Sequence, residues 1–169
     1  MLEDYLSFAR PLSDLTPAAF DARVLLEDVA GVLEARTRDK ALRVRILGQP
    51  LTLWADRQRL RDALLNLALN SVRALRRGGT LTLGAERSPG RVVLSVVDDG
   101  PGIQTEMLSR LGKPFATDTA GGTGLGVMLA QSVARQHGGA LRFESEPGVG
   151  TTALLELPLE TGKSPAGRS

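Results

Sequence analysis

Hydrophobic positions along the chain recur with two periods, one helical and one strand-like. Residues 22–39, ARVLLEDVAGVLEARTRD, place Val24, Leu25, Val29, Val32 and Leu33 at intervals of three and four, which predicts a helix. LRVRIL (42–47) and LTLWAD (51–56) alternate and read as strands on either side of a Gly-Gln-Pro turn. Asp56 stands where an N-cap belongs, ahead of a second helical stretch that runs to about Arg77 and stops at Gly78–Gly79. TLTLGAER (80–87) and RVVLSVVD (91–98) read as strands joined by a Ser-Pro-Gly turn. A short helix is expected in QTEMLSRL, and a Gly/Thr/Ala-rich loop at 112–124. A third long helix then starts at GLGVMLAQ and stops at Gly138–Gly139. ALRFESE and TTALLELPL form a last strand pair around PGVG. Upstream, LEDYLSFARP has the pattern of the last turns of a helix stopped by Pro11, and a connector follows. The terminal ETGKSPAGRS has no apolar pattern and reads as disordered.

Strands arrive mostly as adjacent pairs with helices between them. That order predicts an α/β (α+β) two-layer sandwich: a mixed, largely antiparallel sheet of about five to six strands, covered on one face by about three helices. The expected divisions are a helix end at 1–11, a linker at 12–20, a domain at 21–160 and a tail at 161–169.

Composition narrows the chemistry. The 169 residues suffice for one domain with a real core, and 42% hydrophobic with 24% charged residues is a soluble globular profile. Net charge is only +2, there is no Lys/Arg run and aromatics are few, so no nucleic-acid partner is expected. With no Cys, disulfides and thiolate chemistry are excluded, and one His excludes a His-cluster metal site. No apolar run reaches membrane-spanning length and no signal peptide is visible, so a cytoplasmic location is the default expectation.

Three stretches carry candidate chemistry. In LLNLALNSVRAL (64–75), Leu60, Leu64, Leu67, Ser71 and Ala74 share one helical stripe, while Asn66, Asn70 and Arg73 lie on its flank. The Asn pair reads either as boundary amides bonded to loop backbone, or as oxygen ligands for a hard cation with Arg73 meeting an anion. Mg²⁺ suits such a sparse set, since it keeps several waters and takes few protein oxygens. In VVDDGPGI (96–103), the carboxylates read as turn formers, or Asp98 accepts from an amino group such as that of adenine. Gly100 and Gly102 would then let backbone approach the ligand. In TAGGTGLG (119–126), glycines open a helix whose N–H groups can meet an anion, or form a flexible loop with an N-cap. No GxxxxGK[ST] is present. The GxGxxA at Gly148, Gly150 and Ala153 leads into a strand and is rejected as a dinucleotide fingerprint.

Each stretch alone is moderate evidence; their order says more. An Asn-x-x-x-Asn helix, a strand ending in Asp-x-Gly-x-Gly, a Phe-bearing loop, a Gly-Thr-Gly-Leu-Gly helix start and a Gly-x-Gly-Thr turn follow one another. Over roughly residues 17–158 the chain resembles the ATP-binding catalytic domain of sensor histidine kinases, the fold shared with DNA gyrase B and MutL, with an N box of the nitrogen-sensor type. The resemblance implies ATP and Mg²⁺ as cofactors, Asn70 as the metal ligand, Asn66 as its support and Arg73 as a phosphate contact. It implies that Asp98 binds the adenine amino group, with Gly100, Gly102 and Ile103 in the first glycine box. Gly122, Thr123, Gly124, Leu125 and Gly126 correspond to the second glycine box beside the phosphates. Phe115 in LGKPFAT matches the F box of a mobile ATP lid, from which Lys113 either reaches a phosphate or stays solvated. Thr151 is a neighbour of the pocket.

Two departures refine the expectation. Some relatives carry an aromatic where this chain has Ala74. The ATPase branch carries a water-activating Glu where this chain has Asn66, which cannot act as a base. The expected reaction is therefore γ-phosphoryl transfer to a histidine rather than hydrolysis. His137, in RQHGG, reads as a helix C-terminal residue and not as the acceptor. The acceptor is expected on a dimerising hairpin whose end LEDYLSFARP resembles, so the chain has the aspect of a monomeric catalytic fragment of a dimeric kinase. A response regulator would act downstream, and autophosphorylation by the fragment would be weak. The alternatives are a serine kinase of the anti-sigma type, a gyrase- or MutL-like ATPase module, and a non-catalytic nucleotide-binding scaffold.

Overall fold

Asp21 accepts a 2.7 Å hydrogen bond from the Arg23 amide, and from this cap helix α1 runs over Ala22–Asp39. The computed structural model describes residues 14–111 and 125–159, so the expected helix end at 1–11, the loop at 112–124 and the tail at 161–169 lie outside the described residues. Along α1 the buried stripe is Ala22, Leu25, Leu26, Val29 and Leu33, whereas Val24 and Val32 are substantially exposed. At 100° per residue Val32 falls at the margin of that stripe, and Val24 lies on the opposite side of the helix.

Helix α2 spans Arg57–Ala74 and buries Leu60, Ala63, Leu64, Leu67, Ala68, Ser71 and Val72. It ends before the expected Arg77. Leu75 turns to extended backbone and buries its own side chain, which leaves Ala74 exposed rather than on the core stripe. The end of α2 is sealed from outside. Ala41 holds a left-handed φ of 50°, and the adjacent Lys40 ammonium donates to the carbonyls of Val72, Arg73 and Leu75 at 2.7–3.0 Å. A cation there also complements the negative end of the helix dipole.

Among the described residues the main sheet has five strands in the order β2 (Arg43–Leu47), β4 (Thr80–Ser88), β5 (Arg91–Asp98), β7 (Gly150–Pro158) and β6 (Ala140–Glu146). Only β2 and β4 run parallel; the other neighbours are antiparallel. Leu81, Leu83, Val92, Leu94, Val96, Ala153 and Leu155 alternate inwards, against α1, α2 and α4 (Leu125–Gln136). A four-residue helix, α3 (Thr105–Leu108), follows β5. This is the expected two-layer sandwich with a mixed sheet.

One expectation changes. AAFD, read within the connector, forms β1 (Ala18–Asp21) and pairs antiparallel with β3 (Thr52–Ala55) in a separate two-stranded sheet. The neighbouring strands β2 and β3 thus enter different sheets. β1 is four residues long, and its pairing is with a strand more than thirty residues away, so local pattern carries little of it.

Asp56 ties the entering segment to α2 and α4. Its carboxylate accepts from the Arg59 amide at 3.1 Å and from the Thr16 amide and hydroxyl at 3.0 and 3.1 Å. Its own N–H donates to His137 Nε2 at 3.1 Å, while His137 Nδ1 meets the Val133 carbonyl at 2.8 Å. Burial pushes the Asp56 carboxyl up, but the bonds from Thr16 and Arg59 and the Arg59 charge outweigh it, and the group titrates below the usual carboxylate range. A depressed folded value stabilises above the unfolded pKa and is lost as pH falls through the folded value. Asp56→Ala is therefore expected to cost about 2 kcal/mol at pH 7. That difference should shrink below about pH 4, as urea denaturation at the two pH values would show. An equal cost at both pH values would contradict the assignment.

Candidate functional site

Strand register assembles the site. Asp98 on β5 lies opposite Thr151 on β7, which lies opposite Ser145 on β6, and all three share the helix-facing parity. The same alternation separates the two carboxylates of VVDD. Asp99 faces outwards, accepts the Thr80 amide at 2.7 Å and is held below the usual carboxylate range chiefly by that bond. Asp98 points in and is only 6% exposed. Its Oδ2 accepts from the Ser71 hydroxyl of α2 at 2.6 Å and its Oδ1 from the Gly100 amide at 3.0 Å. A carboxylate buried without a cationic partner among the described residues is costly, and it keeps acceptor capacity for an amino group brought to it.

Ser145 joins the pieces around that row. Its hydroxyl lies 2.8 Å from the Ile103 amide, 3.0 Å from the Gly150 carbonyl and 2.9 Å from the Thr151 hydroxyl. The Gly100–Ile103 loop is held against the same turn, with the Gly148 amide donating to the Pro101 carbonyl at 2.7 Å. Gly102 sits at φ 71°, and a Cβ there would overlap the Glu146 carbonyl oxygen. Neither Ser71 nor Ser145 was singled out as a site residue from sequence. The only signal for Ser71 is a hydroxyl on an apolar helix stripe; Ser145 has no local signal.

The three flank residues of α2 separate into two environments. Asn70 and Arg73 are exposed one turn apart, with Arg73 Nη1 donating to Asn70 Oδ1 at 3.4 Å. Asn66 is half-buried, and its Nδ2 donates to the Asp62 carbonyl at 2.8 Å. It faces α4, where a Cβ on Gly126 would come within 2.9 Å of Asn66 Oδ1. Gly126 thus has a packing reason of its own, besides the anion-binding one expected from the sequence. Leu125 and Gly126 open α4; Lys113, Phe115, Gly122, Thr123 and Gly124 lie outside the described residues.

A groove of about 600 Å³ lies at the same end of the sheet. Most of its lining, including Arg45, Thr82, Val97, Glu144 and Thr152, has the parity of the uncovered sheet face.

Residues 55–161 match the family described as histidine kinase-, DNA gyrase B- and HSP90-like ATPase. Sensor histidine kinase ZraS of Klebsiella oxytoca is 33% identical over 162 residues, covering 94% of this chain and 35% of the relative. Histidine protein kinase DivJ of Caulobacter vibrioides is 35% identical over 153 residues, covering 86% and 26%. The chain therefore spans about a third or less of these relatives' length. Full-length ShkA in complex with AMPPNP superposes with a TM-score of 0.86 at 33% identity, over 97% of this chain and 36% of that one. The nucleotide-free catalytic domain of histidine kinase ThkA superposes with 0.77 at 26% identity, over 85% and 96%. The chain belongs to the histidine kinase-, DNA gyrase B- and HSP90-like ATPase family, and its relatives within it are the ATP-binding catalytic domains of sensor histidine kinases.

Proposed function

We propose that this chain binds Mg-ATP with the adenine amino group on Asp98, and passes the γ-phosphoryl group to a histidine on a separate, dimerising helical hairpin. A response regulator takes the group onwards, and the reaction runs in the cytoplasm, where ATP is supplied. The observation that carries the reading is the buried Asp98 carboxylate, held by Ser71 and Gly100 and flanked by Thr151. Resemblance to ShkA, a protein bound to AMPPNP, supports the ligand class.

The donor set at the other end of the site fits a hard cation. Among the described residues, Asn70 offers an exposed amide oxygen that takes a long bond from Arg73, and a phosphate would draw that guanidinium away. Mg²⁺, when bound, offsets phosphate charge and aligns the phosphate oxygens. Arg73 then meets the phosphates from the same helix face, and the α4 N-terminus directs backbone N–H groups towards them. The chain supplies position and charge. The hairpin imidazole attacks phosphorus in line, the bond to the β–γ bridging oxygen breaks and ADP leaves. Asn66 cannot deprotonate water, which disfavours hydrolysis. His137 is a poor acceptor, because its Nε2 lone pair already receives the Asp56 N–H.

Asn70→Ala is expected to lower ATP affinity about tenfold in the presence of Mg²⁺ and to leave the Mg²⁺-free affinity unchanged, as parallel titrations would show. Transfer is tested by mixing the chain with γ-labelled ATP, Mg²⁺ and the histidine-bearing hairpin. Acid-labile, base-stable label on the hairpin is expected. Acid-stable label on serine, free phosphate as the product, or label on His137 would each contradict transfer to an external histidine.

A further inference from the structure

We propose that Lys40 is a positioning residue for the triphosphate, whose ammonium holds the last turn of α2 in the form that presents Asn70 and Arg73 together; this rests on the nucleotide reading above. Lys40 lies just past the end of α1, more than thirty residues before the groups it would position.

Helix α2 ends without a cap of its own. Leu75 follows it at φ −63° and ψ 137°, and the next glycine is Gly78, so no left-handed glycine directly after the helix turns the chain back onto its last carbonyls. Those carbonyls take the Lys40 ammonium instead: Val72 at 2.7 Å, Arg73 at 3.0 Å and Leu75 at 3.0 Å. An ammonium has three protons, and the three bonds use them all. The main chain fixes Lys40 on the other side. Its carbonyl accepts the Gly78 amide at 3.0 Å, and the adjacent Ala41, at φ 50°, is the one non-glycine residue with positive φ among the described residues. Alanine pays for that conformation, and it is kept where the chain brings Lys40 to the end of α2.

The clamped turn carries the groups assigned to the nucleotide. Arg73, whose own carbonyl Lys40 takes, donates through Nη1 to Asn70 Oδ1. Both side chains are exposed and bonded to each other, so the turn itself sets where they stand. Asp98 is held differently. Ser71 reaches it from the same turn, but the Gly100 amide holds it from its own loop, and the β5–β7 register places it independently of α2. Bare carbonyls at a helix end let the last turn fray. Loss of Lys40 therefore falls on the phosphate end of the site and largely spares the adenine end.

The test compares Mg-ATP with adenosine, which keeps the base and lacks the phosphates, at about 0.15 M salt, where charges out of contact are largely screened. In Lys40→Met the affinity for Mg-ATP is expected to fall about tenfold and that for adenosine by less than about twofold. If Lys40 served stability alone, the melting temperature would fall and the ratio of the two affinities would stay at the wild-type value; that result overturns the proposal. In a chain already carrying Asn70→Ala and Arg73→Ala, adding Lys40→Met should change Mg-ATP affinity by less than about twofold. A further tenfold loss there would show that Lys40 does not act through those two residues, and would equally overturn it. Wild-type chain gives a reading should Lys40→Met fail to fold. The Leu75 amide bonds the Ser71 carbonyl at 2.9 Å, so its hydrogen exchange reports opening of the same turn. Saturating Mg-ATP is expected to slow that exchange about tenfold, and saturating adenosine by less than about twofold. Equal slowing by both, or none by either bound ligand, refutes the proposal. Failure of wild-type chain to bind ATP at all would instead refute the nucleotide reading.

Discussion

Asp98→Asn is expected to weaken ATP binding about a hundredfold, on the order of 3 kcal/mol, with little change in thermal stability. The asymmetry follows from the partners. An Asn side chain can still accept the Gly100 amide through Oδ1 and can donate to the Ser71 hydroxyl through Nδ2, so the folded network survives. What changes is the atom facing the pocket. The adenine amino group would meet a donor instead of an acceptor, and a bond assisted by the carboxylate charge would be replaced by an unmet pair of N–H groups. Calorimetric titration together with a thermal melt separates the two effects. Affinity within threefold of wild type would mean that Asp98 does not contact the base. A large fall in melting temperature would mean that its role is structural.

Gly150→Ala is the substitution expected to damage the fold most. Gly150 begins β7 at φ 146°, and a Cβ there would overlap the Asp98 carbonyl oxygen and lie 3.1 Å from Asp99 Cα. The obstacle is backbone on the neighbouring strand, so relief requires breaking the register that places Asp98 beside Thr151. Overpacking and the unfavourable φ together are estimated at about 4 kcal/mol, a fall in melting temperature on the order of 10 °C. Gly148 on the same turn is the control. It also has positive φ, at 82°, but open space surrounds its Cβ position, so Gly148→Ala should cost only about 1 kcal/mol. Equal destabilisation by both would show that dihedral strain alone governs the turn.

The motif order of the chain foretold the sandwich and the family, because the Asn pair, the Asp98 turn and the Gly-x-Gly-Thr turn sit at a helix flank or a strand end that periodicity marks. Asp98 is such a case: a carboxylate directly after an apolar strand and before Gly-Pro-Gly. Ser71, Ser145 and β1 were not legible in the same way. Ser71 matters because β5 brings Asp98 beneath it, and Ser145 because β6 lies two strands from Asp98 across β7. Both facts are pairings between distant segments. Val32 and Ala74 show the converse limit. They satisfy helical spacing, but where the sheet stops and where α2 ends decide which apolar positions are covered.

The most direct test of the nucleotide reading is an amide chemical-shift titration with Mg-ATP, because it reports which face of the sheet the ligand meets. The account predicts the largest shifts at Ser71, Gly100, Ile103, Gly126 and Thr151, on the helix-covered side. Shifts concentrated at Arg45, Thr82, Glu144 and Thr152, around the groove on the uncovered face, would contradict it.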